Sequence, residues 1–176
     1  MNIQDIKEMV LINLKNVVEE GDTFMPVAFV KDEKDHLSVI GCPFKDDESK
    51  IEVMRAVGFT AAKMKSKEFF VVIDSYIRKV GKNEDPKWVT DNWDVEKPSS
   101  YPEQMRHDCL IISHLFPNSP EKDQIMSIEY SKKDGEIIFG EESLRGSEGH
   151  FDGLIKDSIM EGYAGTISPD IHIEPI

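Results

Sequence analysis

The sequence predicts an α+β domain: a largely antiparallel sheet of about five or six strands, packed with an N-terminal helix, a second helix at about 47–65 and a short C-terminal helix. Three observations predict it. Apolar residues recur at helical spacing near the two ends of the chain, while β-branched and aromatic runs occupy its middle. Those runs follow one another instead of alternating strictly with helices, which argues against a parallel sheet. Asp134-Gly135 lies between two alternating runs and is a strong tight-hairpin signal, because both turn positions need positive φ.

Each element follows from its own residues. Ile3, Ile6, Val10, Leu11, Leu14, Val17 and Val18 form one apolar stripe, and Gly21 supplies the stop. "TFMPVAFVKDEKDHLSVIGC" reads as two short strands, 24–31 and 36–41, joined by a polar turn. Asp46, Asp47 and Glu48 suit a helix start, where the dipole favours acids. Ile51, Met54, Val57, Gly58, Ala61 and Met64 then give a slim apolar stripe suited to close packing on a sheet. "EFFVVIDSYIRKV", 68–80, begins as a continuous apolar run, as in a central strand covered on both faces, and alternates from Asp74 onward. "DCLIISHLF", 108–116, is a second buried strand, and "QIMSIEYSKKDGEIIFG" is a hairpin. Leu154, Ile155 and Ile159 mark a last amphipathic segment at 151–161, and the prolines of the tail, 162–176, keep it from being a central strand. Residues 1–176 thus read as one globular domain, with 81–105 as a long loop or protruding hairpin.

Composition narrows the function classes. Apolar residues make up 39% and charged residues 31%, with no run long enough to span a bilayer, so no membrane is expected as a partner. The N-terminus carries acids among its apolar residues and lacks the basic start of a signal peptide. Cys42 and Cys109 are far apart and unpatterned, which fits a reducing, cytoplasmic setting with both thiols packed as small hydrophobes. The net charge of −13 is uneven: residues 134–176 carry Arg145 and Lys156 against ten acids, a net of −8. Such a surface repels phosphate backbones, so direct nucleic-acid binding is not expected. It either solubilises the chain, mimics nucleic acid or docks on a basic protein.

Catalytic signatures are sparse. Neither a P-loop nor a dinucleotide-binding glycine fingerprint occurs, and the glycines of "LRGSEGHFDG" lie in the acidic region without a phosphate-pairing lysine. His36, His107, His114, His150 and His172 form no compact metal motif, and the spacing of seven puts His107 and His114 on opposite faces of one strand. His150/Asp152 and His172/Glu174 are the pairs from which a metal-dependent hydrolase would have to be built. Cys42 sits at a turn before a helix, where the dipole could lower its pKa, but no histidine accompanies it. No cofactor and no catalytic residue is therefore expected.

Residues 81–105 remain. A connection this long inside a compact domain is usually functional, and this one carries Trp88, Trp93 and Tyr101, including both tryptophans of the chain. Within "PSSYPEQMRHD", Pro98 holds its predecessor extended, and Ser100 with Glu103 matches a capping box. Tyr101 and Arg106 form the near edge of the same binding surface.

"VVIDSYIRK", "PSSYP" with Arg106, and "DCLIISHLF" together resemble a group of prokaryotic and phage-associated proteins with a strand, a Pro-Ser-x-x-Pro turn and a second strand. The resemblance covers about a quarter of the chain, residues 68–116, and the group has no assigned activity. Ile73-Asp74-Ser75-Tyr76 stands where the group tends to have glutamate and tryptophan. The resemblance implies strand pairing and a viral or mobile-element source. The leading expectation is thus a non-enzymatic acidic interaction module that binds a protein partner through Trp88, Trp93, Tyr101 and Arg106 or through the acidic C-terminal quarter. The alternatives are the metal-dependent hydrolase and a homo-oligomer-forming structural subunit.

Overall fold

The computed structural model describes residues 1–78, 106–146 and 154–165. Its elements are α1 (Ile3–Glu19), β1 (Val27–Lys31), β2 (Leu37–Gly41), α2 (Asp47–Lys63), β3 (Phe69–Arg78), β4 (Arg106–Leu115), β5 (Gln124–Lys133), β6 (Glu136–Gly146) and α3 (Leu154–Tyr163). The six strands form one sheet in the order β2-β1-β3-β4-β5-β6, and every neighbouring pair is antiparallel. This is the α+β fold the sequence predicts.

Local chemistry sets the element ends. Asn2 caps α1: its side chain accepts from the backbone N–H of Gln4 and Asp5, while the Asp5 carboxylate accepts from the Asn2 N–H. Asp46 caps α2 in the same reciprocal way with Ser49. Each cap satisfies donors that the first helical turn leaves open, an effect of about 1 kcal/mol. Gly21 turns the chain out of α1 at φ 84°, where a side chain would be strained. Asp134 and Gly135 both have positive φ, 53° and 85°, as the tight hairpin between β5 and β6 demands.

The sheet is covered on both faces. On one face, Ile3, Ile6, Val10 and Leu14 of α1 pack on Phe29, Phe70, Val72, Leu110, Ile112, Met126 and Ile128. On the other, α2 and α3 cover Ala28, Val30, Ile40, Phe69, Val71, Ile73 and Leu115. Consecutive residues of β3 serve opposite cores, which explains why its sequence is apolar without alternation.

Gly58 departs from expectation. It faces α3, not the sheet: a Cβ there would sit 1.9 Å from the Ile159 carbonyl oxygen. Gly162 is its counterpart, since a Cβ there would lie 1.9 Å from the Arg55 carbonyl oxygen. Two bare glycines let the helix backbones touch, and Arg55 clamps the crossing by donating through Nε to Glu161 at 2.7 Å. Tyr163 closes the end of α3 by donating its hydroxyl to the Ser66 carbonyl at 2.9 Å. The helix therefore continues two residues into the segment expected to be an extended tail.

Candidate functional site

β3 and β4 pair residue for residue as far as Arg78 and Arg106. The segment that carries Trp88, Trp93 and Tyr101 therefore leaves and re-enters the sheet at adjacent positions. Trp88, Trp93, Tyr101 and the Arg106 side chain lie outside the described residues, as do His150, Asp152, His172, Glu174 and the Pro98–Glu103 turn. What the structure does place is the sheet end to which that segment is tied.

There the register aligns Asp108, Tyr130 and Phe139 in one row across three strands, on the α1 face. Tyr130 is buried and donates its hydroxyl to Asp74 Oδ1 at 2.8 Å. Burial pushes the Asp74 carboxyl above its ordinary value, and Asp108 adds to the rise, while the Tyr130 bond and nearby Lys132 oppose it. Phe139 closes the row 36% exposed, and Ile138 beside it is 48% exposed. Phe139 and Ile138 point to opposite faces of β6, three strands from Asp74 in the sheet order. On the opposite face His107 Nδ1 lies 3.7 Å from Glu129, as the seven-residue spacing from His114 requires.

The other end of the sheet holds a polar cleft of about 620 Å³, lined by Lys31, Asp35, Lys67, Glu68, Phe116 and Lys122 among others. Lys31 bridges Asp35 at 2.9 Å and Glu68 at 3.4 Å, and Glu68 accepts from His114 Nε2 at 3.0 Å. The His114 ring is clamped between Phe70 and Phe116, with centroids 4.0 and 4.2 Å away. Burial holds its pKa below the ordinary value against the pull of Glu68, so the ring is neutral at pH 7. Since a carboxylate can only accept, Nε2 carries the proton and Nδ1 is left as a lone-pair acceptor. Nδ1 is buried without a partner, so a substrate in the cleft cannot reach it as a base. This cluster is a stabilising network; nothing in the sequence signals it, because Lys31, Glu68 and His114 meet only through sheet register.

The cysteines resolve the nucleophile question. Both are free and fully buried. Burial pushes the Cys42 thiol up to about 12 and the Cys109 thiol up to about 11. The expectation that the α2 dipole could lower the Cys42 pKa is thereby corrected: desolvation outweighs the dipole, and at pH 7 the group is a thiol. Among the described residues no group of three or more His, Cys, Asp and Glu side chains could hold a metal ion. No helix in this set is long and apolar enough to cross a membrane.

Compared with protein-family models, with curated proteins and with solved structures, the chain matches none.

Proposed function

We propose that this chain is a non-enzymatic, acidic interaction module, cytoplasmic and encoded by a virus or mobile element, whose ligand is another protein. The contact surface is the sheet end where β3 hands over to residues 79–105 and β4 receives them. Trp88, Trp93 and Tyr101 supply affinity there, with Arg106 at the rim. The observation that carries this reading is the pairing of Arg78 with Arg106, which ties the start and end of the tryptophan-bearing segment to one point at the end of the sheet. Aromatic anchors on a polar segment are what protein interfaces use for binding energy.

The acidic C-terminal quarter plays the lesser part. Several of its charges are engaged within the fold: Lys7 pairs with Glu142, Arg55 with Glu161, and Lys156 with Asp123 at the foot of β5. The test is capture of partners from the native host by the full chain, with a Trp88→Ala/Trp93→Ala control. The double variant is expected to lose the partner; retention of every partner by it would refute this reading.

A further inference from the structure

Among the described residues β6 is an edge strand of the sheet and, with eleven residues, the longest. Its outer residues include Ile138, Phe139 and Leu144, the last 50% exposed. Its register against β5 slips once: Phe139 pairs with Tyr130, but Glu142 pairs with Ile128, so Gly140 and Glu141 together stand opposite Glu129. That bulge changes the parity of the strand. Before it, Ile137 and Phe139 lie on the α1 face; after it, Glu142 and Leu144 do.

The parity change makes β6 complementary to itself. In an antiparallel pair related by a two-fold axis between Gly140 and Glu141, Glu136 stands opposite Arg145 of the second copy. Ile137 then meets Leu144, Ile138 meets Ser143, Phe139 meets Glu142, and Gly140 meets Glu141. Every such pair joins residues of the same sheet face, as strand pairing demands. The whole strand but its last residue is used, and Glu136 and Arg145 form an ion pair twice. Neighbouring two-fold registers fail. A shift one way places Glu141 opposite Glu142, twice over; a shift the other way sets Ile137 against Glu142 and Ile138 against Glu141. Like charges directly opposite weaken a sheet, and the Glu136–Arg145 register has one apolar–acid pair in each half, Phe139–Glu142, where the second alternative has two and no ion pair.

Gly140 fits the same register, at a bulge where glycine is common in its own right. Its φ is not positive, and a Cβ there would meet Glu129 at 3.5 Å, an ordinary contact. Neither backbone strain nor crowding within one copy requires glycine. In the self-paired register Gly140 stands across from Glu141 of the second copy, beside the axis, where the two glutamates need room. Glycine inside a strand marks such a close approach.

We infer that β6 is a self-association edge, joining two copies of this chain into a continuous twelve-stranded antiparallel sheet by the Glu136–Arg145 register. The register uses no residue of the 79–105 segment. The experiment is sedimentation of the full-length chain from about 1 μM to about 1 mM, the range in which transient interfaces dissociate. The wild type is expected to dimerise with concentration. Arg145→Glu and Glu136→Arg each set like charges opposite one another, and each should weaken the dimer about tenfold or more. The double variant Glu136→Arg/Arg145→Glu restores opposite charges and should return the dimer to near wild-type strength. All three exchanges are at exposed positions, and circular dichroism checks their fold. A wild type that stays monomeric throughout overturns the proposal, as does a dimer that neither single exchange weakens or that the double exchange fails to restore. Trp88→Ala/Trp93→Ala must leave dimerisation unchanged; its loss there would overturn the β6 assignment while leaving the tryptophan segment as the binding surface.

Discussion

The two faces of the sheet are closed by opposite means. Beneath α1 the closure is made of side chains: Ile3, Ile6, Val10 and Leu14 fill the space over Phe70, Leu110 and Met126. On the far face the outer layer is two helices whose crossing depends on missing side chains, at Gly58 and Gly162. Both faces lose stability when a buried side chain is removed, since Met54, Val57 and Ile159 fill the second as Leu14 fills the first; the second also fails when volume is added at its helix crossing.

Four measurements break or sharpen that contrast. Leu14→Ala removes a fully buried side chain and leaves a void over the sheet, costing about 3 kcal/mol by urea titration. Gly162→Ala, normally a helix-stabilising change, should instead cost about 2 kcal/mol or more, since its Cβ would collide with the immovable Arg55 carbonyl. Hydrogen exchange should then quicken in α3 and α2 while α1 keeps its protection; uniform quickening would mean the faces are not independent. Tyr130→Phe, at the solvent end of the α1 face, deprives the Asp74 carboxyl of its hydroxyl donor and should cost about 1.5 kcal/mol at pH 7. Lys7→Met loosens only the ion pair from α1 to β6 and should cost under about 1 kcal/mol.

Acid titration separates the two ends of the α1 face. His114 has its pKa below 6.5 in the fold, so the unfolded chain takes up the proton first. Stability is therefore full above 6.5 and falls as the pH drops from there through the folded value. His114→Gln should flatten that limb of the pH–stability curve. Asp74 has the opposite sign: its folded pKa lies above 3.8, so stability declines as the pH rises from 3.8 through the folded value. Asp74→Asn should remove this decline, measured as a smaller stability difference between pH 4 and pH 7.

Those elements were legible whose cause is local. The 3–4 spacing of Ile3 to Leu14, the acids at Asp46–Glu48 and the Asp134-Gly135 turn each act within a few residues, and each element forms where they predict. The unalternating "FFVVI" run correctly announced a strand buried on both faces. What escaped is what the sheet brings together from afar. Gly58 reads as a slim helix face until Ile159 is placed against it, and Cys42 reads as dipole-activated until its burial is known. Lys31, Glu68 and His114 are unremarkable until strand register aligns them. The candidate binding residues Trp88, Trp93, Tyr101 and Arg106 follow from aromatic content on a polar segment; the described fold contributes that segment's point of attachment at Arg78 and Arg106.

The glycine crossing also bears on how the chain is made. Arg55 and its clamp Glu161 are 106 positions apart in the chain, with β3 to β6 between them. On a ribosome α2 emerges and can settle on the early strands long before α3 exists, leaving the bare track at Gly58 uncovered by its partner helix. β4, β5 and β6, by contrast, each pair with the strand made just before them and can zip up as they appear. Docking of α3 therefore waits until β3 to β6 have been made, and the two bare glycines define the track on which it settles.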